Sequence, residues 1–362
     1  MMKKNIPVFQ SAFFLLFICT FLTCSKSSSQ QIMKLDGTTI SARELDSYLK
    51  EQMEVLKIPG LSIAIINDSR IVYHRTFGFA NIQTGEKVNN QTIFQASSLS
   101  KPVFAYFVMK MVEEGVLDLD TPLYKYLPYN EIEDDKRHQQ ITARMALSHA
   151  SGLPNGRING KIELLFDPGT DFEYSGIGYN YLSKVLQKLL DKTPQEMEVL
   201  FQEIVARPLK IPHASFVKND YALKHKAMAH NTDGVIENST PWWSENRFNT
   251  SGALHTEAIS YAKFLIALME GQGLKPSSID EMLKEQIKSN SDLQTGITGW
   301  GLGLSRRTTK YGIIYSHVGY TLGYSSACMF DKERKFGYVF FTNMDEASNF
   351  YVKLEEVLFG DE

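Results

Sequence analysis

Strand-like segments at both ends of the chain enclose a long helical middle, and this order constrains the fold most. Near the start, apolar runs at residues 61–67 and 70–78 flank a turn and predict a β-hairpin. Near the end, strands are predicted over residues 312–317, 324–330 and 336–342. We therefore expect an α/β (α+β) fold, in which terminal helices flank an antiparallel sheet and an all-helical subdomain adjoins it.

Apolar periodicity and capping residues predict the helices. Ser41 and Glu44 form a capping box in front of the first helix. Further helices are predicted over residues 99–114, 179–190, 194–206, 256–269 and 345–358. The helical insert then extends over about residues 117–290, inside one domain assigned to residues 36–362.

The first residues differ in composition from the rest of the chain. Two lysines precede an uncharged run at residues 13–22, and Cys24 follows. This pattern predicts a secretory signal over residues 1–24, followed by a polar linker at 25–35. The residues before Cys24 resemble a bacterial lipoprotein processing site, so Cys24 is a candidate for lipid attachment and membrane anchoring. A plain cleaved signal is the alternative. Both predict an exported protein, periplasmic or anchored to a bacterial membrane.

Composition excludes several classes of function. The 362 residues have a net charge of −3 and no strongly basic segment, so a nucleic-acid partner is not expected. Beyond the predicted signal the only cysteine is Cys328, which lies in a predicted strand and is expected to be buried and structural. No Cys/His cluster has the spacing of zinc ligands. We expect no metal and no cofactor.

A serine three residues before a lysine can support nucleophilic catalysis. On a helix the two side chains share a face, and an amine with a lowered pKa can accept the serine proton. The pattern occurs four times, at Ser47/Lys50, Ser98/Lys101, Ser215/Lys218 and Ser260/Lys263. The Ser98/Lys101 pair follows a short apolar segment at a predicted helix start, where backbone N–H groups can stabilise an oxyanion.

The segment around Ser98, FQASSLSK at residues 94–101, resembles the active-site segment of the serine β-lactamase and penicillin-binding protein superfamily. The class C β-lactamase-like branch is the most similar. Further matches follow in order: LSHASGL at 147–153, PGTDFEYSG at 168–176, SGALHT at 251–256, GWGLG at 299–303 and HVG at 317–319. The resemblance covers roughly residues 40–360 and implies the β-lactamase/DD-peptidase-like fold.

The resemblance implies a catalytic group of three residues. Ser98 would be the nucleophile, and Lys101 and Tyr174 would share the proton transfers, with Tyr174 as a phenolate or as a relay. The backbone N–H groups of Ser98 and Tyr320 would form the oxyanion hole.

The third active-site element supplies two further candidate residues. His317 would face the cleft near Tyr174 and help to hold the substrate, and Gly319 would keep the strand slim enough for the acyl group. Two departures from the branch disfavour antibiotic hydrolysis: Gly176 stands where Asn is usual, and His317 replaces the Lys of efficient β-lactamases. A histidine is mostly neutral at pH 7, so it gives no fixed charge for a substrate carboxylate.

The resemblance therefore implies a serine hydrolase that forms an acyl-enzyme with a small-molecule substrate. In order of preference, that substrate is an ester, a peptide ending in a D-residue, or a β-lactam. The alternatives are a D-amino-acid-directed cell-wall peptidase, a penicillin-binding sensor with little turnover, and a scaffold with an inactive site. His149 is expected to be a structural hydrogen-bonding residue, and Trp242 and Trp243 either line a groove or pack in the core.

Overall fold

The computed structural model describes residues 1–2, 30–236, 243–289, 296–345 and 347–360. The predicted signal segment lies outside these residues except for its first two, and so does the proposed lipid site at Cys24. Within the described residues, no helix is both long enough and apolar enough to cross a membrane.

Strands and helices follow the predicted order along the chain. The strands are β1 Gln31–Met33, β2 Thr39–Ser41, β3 Gly60–Asn67, β4 Arg70–Asn81, β5 Glu86–Lys87, β6 Phe94–Gln95, β7 Ala229–Asn231, β8 Gly234–Ile236, β9 His255–Thr256, β10 Ile287–Lys288, β11 Ile297–Trp300, β12 Ser305–Thr309, β13 Gly312–Thr321, β14 Tyr324–Asp331 and β15 Phe336–Thr342. The α-helices are α1 Ala42–Val55, α2 Ser100–Glu113, α3 Ala143–Leu147, α4 Gly176–Leu190, α5 Pro194–Phe201, α6 Asp220–His225, α7 Ala258–Glu270, α8 Pro276–Leu283 and α9 Phe350–Phe359.

A nine-stranded antiparallel sheet joins the two ends of the chain. Its strand order is β10-β11-β12-β13-β14-β15-β3-β4-β5. The last long strand, β15, pairs with the first, β3, so that Val339 lies opposite Ala64 and Phe341 opposite Ser62. The antiparallel sheet predicted from the two strand-rich ends is confirmed.

Both faces of this sheet are covered, as β3 illustrates. Leu61, Ile63 and Ile65 pack into the apolar cluster that contains α1 and α9. Ala64 and Ile66 point the other way, into the cluster formed with α2 and α7. Side chains alternate between the faces of a strand, so a strand buried on both faces is apolar throughout.

The start of α1 shows the predicted capping box. The Glu44 backbone N–H donates to Ser41 Oγ at 3.2 Å, and the Ser41 N–H donates to the Glu44 carboxylate at 2.9 Å. Part of the predicted linker at residues 25–35 is structured, because β1 pairs with β2 and buries Ile32 against the domain.

One expectation for the later part of the chain needs correction: the insert is not all-helical, since β7 pairs with β8 and β9 pairs with β6. In the GWGLG segment, β11 ends at Trp300. A turn follows, in which the Gly301 N–H donates to Leu304 O at 2.9 Å and Gly303 has a φ of +88°, a value that favours glycine.

Candidate active site

Ser98 lies in a single 3₁₀ turn, Ser97–Leu99, directly before α2. Ser97 has a φ of +50°, which a non-glycine residue adopts only when its surroundings hold it. The Ser100 hydroxyl supplies one such restraint by donating to Ser97 O at 2.6 Å, and it also accepts from the Leu254 N–H at 2.9 Å. The turn therefore fixes Ser98, which stays partly exposed at the end of a buried helix.

Lys101 lies one turn further along and points back at Ser98. Its Nζ is 3.2 Å from Ser98 Oγ and donates to Ser251 O at 2.7 Å. The residue is 2% exposed, and this burial lowers the pKa of Lys101 from its ordinary value of 10.5 to about 7. An amine in this position is half neutral near pH 7 and can accept a proton.

The other Ser-x-x-Lys pairs do not form this contact. Their serine hydroxyls donate elsewhere: Ser47 to Arg43 O, Ser215 to Val217 O, and Ser260 to the Glu257 carboxylate. The structure thus separates Ser98/Lys101 from three pairs with the same spacing.

Tyr174 covers Lys101 and reaches Ser98. The Lys101 Nζ is 4.6 Å from the centre of the Tyr174 ring, and the buried Tyr174 hydroxyl faces Ser98 without an aligned hydrogen bond. Burial raises the pKa of Tyr174 above its ordinary value, and the Ser98 hydroxyl offsets part of that rise. The phenol is therefore protonated at neutral pH.

His149 supports the Tyr174 ring. Its Nδ1 accepts from the Ser175 N–H at 2.9 Å, as expected of a structural hydrogen-bonding residue, and its ring stacks on Tyr174 with centroids 4.3 Å apart. Burial lowers the pKa of His149 well below 6.5, with smaller contributions from Lys101 and His317. His149 is a neutral support for Tyr174, a role that the sequence analysis missed.

His317 lies beside Tyr174 and packs inside the site, where it is 3% exposed. Its ring centre is 5.9 Å from that of Tyr174 and 5.4 Å from that of Trp300. Burial, followed by the charge of Lys101, lowers the pKa of His317 to about 3. The Nδ1–H donates to Val318 O at 2.7 Å, so Nε2 carries a free lone pair and no charge.

Gly319 allows β13 to approach the turn that carries Ser98. A side chain at Gly319 would meet Ala96 O at 2.6 Å, Ser97 Cβ at 3.2 Å and Ser326 Oγ at 2.3 Å from its Cβ. The absence of a side chain at Gly319 therefore lets β13 pack closely against this turn.

The backbone N–H of Tyr320 points away from β14. The pair Thr321–Tyr324 closes the two-residue turn between β13 and β14 and is therefore a hydrogen-bonded pair. Along an antiparallel ladder, hydrogen-bonded pairs alternate with non-hydrogen-bonded pairs. Tyr320 and Ser325 thus form a non-hydrogen-bonded pair. Pairing with β12 ends at Ser316, so the Tyr320 N–H lies on an edge that neither neighbouring strand occupies.

Two polar residues that the sequence analysis did not select, Asn180 and Ser251, adjoin the site. Ser251 O accepts from Lys101, and Asn180 Nδ2 donates to Ser251 Oγ at 3.1 Å. The Gly176 N–H donates to Asn155 Oδ1 at 2.9 Å. Asn180 is four residues after Gly176 on α4, so the two residues share a face of the helix. This spacing was the sequence signal that could have placed Asn180 near the site.

Other sequence candidates lie outside the site. Trp243 stacks on His255 with centroids 3.7 Å apart, which is a packing role, and Trp242 lies outside the described residues. Cys328 is a buried free cysteine, and burial raises the pKa of its thiol to about 12. Over the described ranges, no cluster of His, Cys, Asp and Glu could hold a metal ion.

A hydroxyl, a buried amine and a phenol gathered where a sheet edge meets a helical part are the groups that serine acyl transfer requires. The chain belongs to the beta-lactamase family, whose model matches residues 45–358.

Individual relatives are more distant. Protein flp of Staphylococcus aureus (strain NCTC 8325 / PS 47) is 23% identical over 341 residues, which cover 89% of this chain and 66% of that protein. This chain thus spans just under two thirds of the length of that relative.

Two solved structures show the same fold. EstCE1, described as a hydrolase with promiscuous acyltransferase activity, superposes with a TM-score of 0.76 at 18% identity, covering 88% of this chain and 98% of its own. The D-amino acid amidase from Ochrobactrum anthropi SV3, complexed with L-phenylalanine amide, superposes with a TM-score of 0.72 at 19% identity, covering 87% and 97%.

Proposed function

We propose that this protein is a serine hydrolase that forms an acyl-enzyme at Ser98 and cleaves an ester or an amide. The observation that carries the proposal is the Lys101 amine, held 3.2 Å from Ser98 Oγ with its pKa lowered to about 7 by burial. An ordinary lysine is almost entirely protonated at neutral pH and could not act as a base.

Acylation follows from the order of these groups. Ser98 Oγ attacks the carbonyl carbon and transfers its proton to the neutral Lys101 amine. Tyr174 then donates its phenolic proton to the leaving oxygen or nitrogen as the bond to the carbonyl carbon breaks, and Lys101 returns a proton to Tyr174. Because burial raises the pKa of Tyr174, the phenol acts as a proton relay in this scheme rather than as a resting phenolate.

The negative charge on the tetrahedral intermediate requires donors. The N–H of Ser98 and the N–H of Tyr320, which faces away from β14, would bind this oxyanion. In the second step a water molecule gives a proton to the neutral Lys101 amine and attacks the acyl carbonyl. When the bond to Ser98 Oγ breaks, Lys101 returns that proton to Oγ, which releases the acid and restores Ser98. His317, neutral and with a free Nε2 lone pair, would accept a hydrogen bond from Tyr174 or the substrate.

The substrate class follows from the charge of the site. His317 is neutral where efficient β-lactamases have a lysine, so an ester or a simple amide fits better than a β-lactam. The two similar structures carry names that describe acyl transfer and hydrolysis of an amide. A D-amino-acid-directed peptidase or amidase is the second candidate, and the amidase-like fold supports it.

Hydrolysis of a short-chain nitrophenyl ester by residues 25–362 tests this proposal. Turnover is expected for the wild type and for Lys263→Met, which alters a Ser-x-x-Lys pair outside the site. Ser98→Ala and Lys101→Ala are expected to abolish turnover while they keep the wild-type circular dichroism spectrum. Wild-type activity in Ser98→Ala would refute the mechanism. Release of D-alanine from a muropeptide, without ester turnover, would favour the second candidate.

We also propose that the protein is exported and anchored through Cys24. The support is the sequence of residues 1–24 and the polar segment that follows. Metabolic labelling with a fatty-acid analogue, which Cys24→Ser should abolish, tests the anchor. A soluble, unlabelled protein in the periplasm would support the plain signal instead.

A further inference from the structure

Two adjoining cavities lie along α4 and share Asn180, a residue that adjoins the proposed site. The larger has a volume of about 710 Å³ and lies between α4 and residues 246–249. The smaller has a volume of about 290 Å³. Arg157, Asn180 and Lys184 line both of them, so the two cavities form one continuous groove along α4.

The larger cavity has an excess of positive charge. Arg157, Lys184 and Arg247 line it, and none of the described residues on its wall is a carboxylate. Arg157 is partly neutralised, because it pairs with Glu131 and donates to Gly160 O at 3.2 Å. Lys184 and Arg247 are exposed side chains with no carboxylate partner in the part of the chain that the structure describes.

Asn180 supplies a second, uncharged indication of a ligand. Its Nδ2 donates to Ser251 Oγ, which leaves Oδ1 buried and without a hydrogen-bond partner among the described residues. A buried amide oxygen in this state is unfavourable unless a donor reaches it. Only a hydrogen-bond donor would satisfy it, such as an amide N–H in the chain of a bound molecule; the carboxylate itself would bind the cationic side chains.

The groove is connected to Ser98 by direct contacts. Asn180 bonds the Ser251 hydroxyl, and the Ser251 carbonyl accepts from Lys101, whose amine is 3.2 Å from Ser98 Oγ. A substrate chain bound to Ser98 would reach the groove at Asn180 if it extends past Ser251. The acyl portion remains attached to Ser98 through both chemical steps, so a subsite here would hold it throughout the reaction.

We propose that this groove is an acyl-side subsite that binds a carboxylate group of the substrate through Lys184 and Arg247. The inference rests on the proposed function and narrows its substrate class to acyl groups that end in a carboxylate. It also explains how the site recognises an anion although His317 is neutral: the positive charge lies along α4 instead of on β13.

Matched nitrophenyl esters test the subsite. The probes are the half-esters of succinic, adipic and suberic acid, each compared with the butanoyl, hexanoyl or octanoyl ester of equal length. For chains long enough to reach Lys184, the carboxylate ester is expected to have a kcat/KM roughly fivefold to tenfold higher at low salt. The preference should decline as salt screens the charges.

Variants locate the effect. The double variant Lys184→Gln/Arg247→Gln is expected to reduce the ratio of carboxylate to neutral ester to about one. Lys188→Gln is the matched control, because Lys188 lies one turn further along α4, is exposed and does not line the groove. It should keep the wild-type ratio. Equal hydrolysis of both esters by the wild type would overturn the inference.

Binding of free adipate separates the inference from the proposed function. Calorimetric titration of Ser98→Ala should show adipate binding that the double variant loses and Lys188→Gln keeps. If no ester is hydrolysed but adipate binds in this way, the proposed function fails and the subsite stands. If esters are hydrolysed but adipate does not bind and no preference appears, the subsite is refuted and the hydrolase stands. Absence of both results refutes both.

Discussion

The pH dependence of ester hydrolysis should report the ionisation of Lys101. Burial lowers the pKa of this amine from 10.5 to about 7, so the neutral fraction at pH 7 rises from about one in three thousand to about half. The neutral amine is the base, and it is lost as pH falls through the pKa. We therefore expect kcat/KM to increase about tenfold between pH 5 and 6, to level off above pH 8, and to follow a single ionisation.

No other group of the site should add a break within this range. Burial lowers the pKa of His149 well below 6.5 and that of His317 to about 3, so both stay neutral. The raised pKa of Tyr174 places its ionisation above the range in which nitrophenyl esters can be used.

The assay measures initial rates at the isosbestic wavelength of nitrophenol, from pH 5 to 9, with the rate of Ser98→Ala subtracted at each pH. Lys263→Met should keep the profile, whereas Lys101→Arg, which has a permanent charge, should lose activity at every pH. A flat profile, or one that still rises about tenfold per pH unit between pH 8 and 9, would refute the assignment of Lys101 as the base.

Two further substitutions test the site. Lys101→Met is expected to abolish turnover and to stabilise the fold. The pKa of Lys101 is lower in the folded protein than in the unfolded chain. Burial of its charge therefore destabilises the protein fully below pH 7, and less as the pH approaches 10.5. The gain, on the order of a few kcal/mol, should shrink as pH rises in urea titrations, and a gain independent of pH would contradict the argument. Gly319→Ala places a Cβ 2.6 Å from Ala96 O and should lower kcat by about a hundredfold. The control is Gly252→Ala, whose Cβ meets no atom within 4 Å and which should keep the wild-type kcat. Equal kcat values for the two variants would refute the close contact.

Sequence patterns predicted five of the nine strands of the sheet. The signal was clearest for β3, β14 and β15, which are buried along their whole length and bounded by turns. Sequence patterns did not predict the strands of the insert: β7 and β8 have three residues each, too few for a period to appear. The conformations of the loops in the insert could not be predicted either, since they depend on contacts with distant parts of the chain.

For the site, the ordered motifs selected Ser98, Lys101 and Tyr174 as candidates, but not the hydrogen bonds that hold them. The carbonyl of Ser251, which is 150 residues away in the sequence, orients Lys101. Every residue type has a backbone carbonyl, so the sequence does not reveal this contact. The sequence did not show how deeply His317 is buried, because alternation along β13 indicates which residues share a face and not what covers that face. Its burial depends on Trp300 and Tyr174, which come from two other segments.

The division of the fold into a sheet and a helical insert explains how Lys101 acquires the low pKa that the proposed base requires. The sheet edge brings β13 against the turn before α2, and the insert contributes the rings of Tyr174 and Tyr179, whose centres lie 4.6 Å and 5.6 Å from the Lys101 amine. Neither part alone would exclude water from that amine. Because desolvation is what lowers the pKa, the same contacts that make Lys101 reactive also make its charged form unfavourable in the folded protein. The proposed catalytic power and the stability of this fold are therefore opposed at one residue, and an activity that survived loosening of the insert would have to come from a different base.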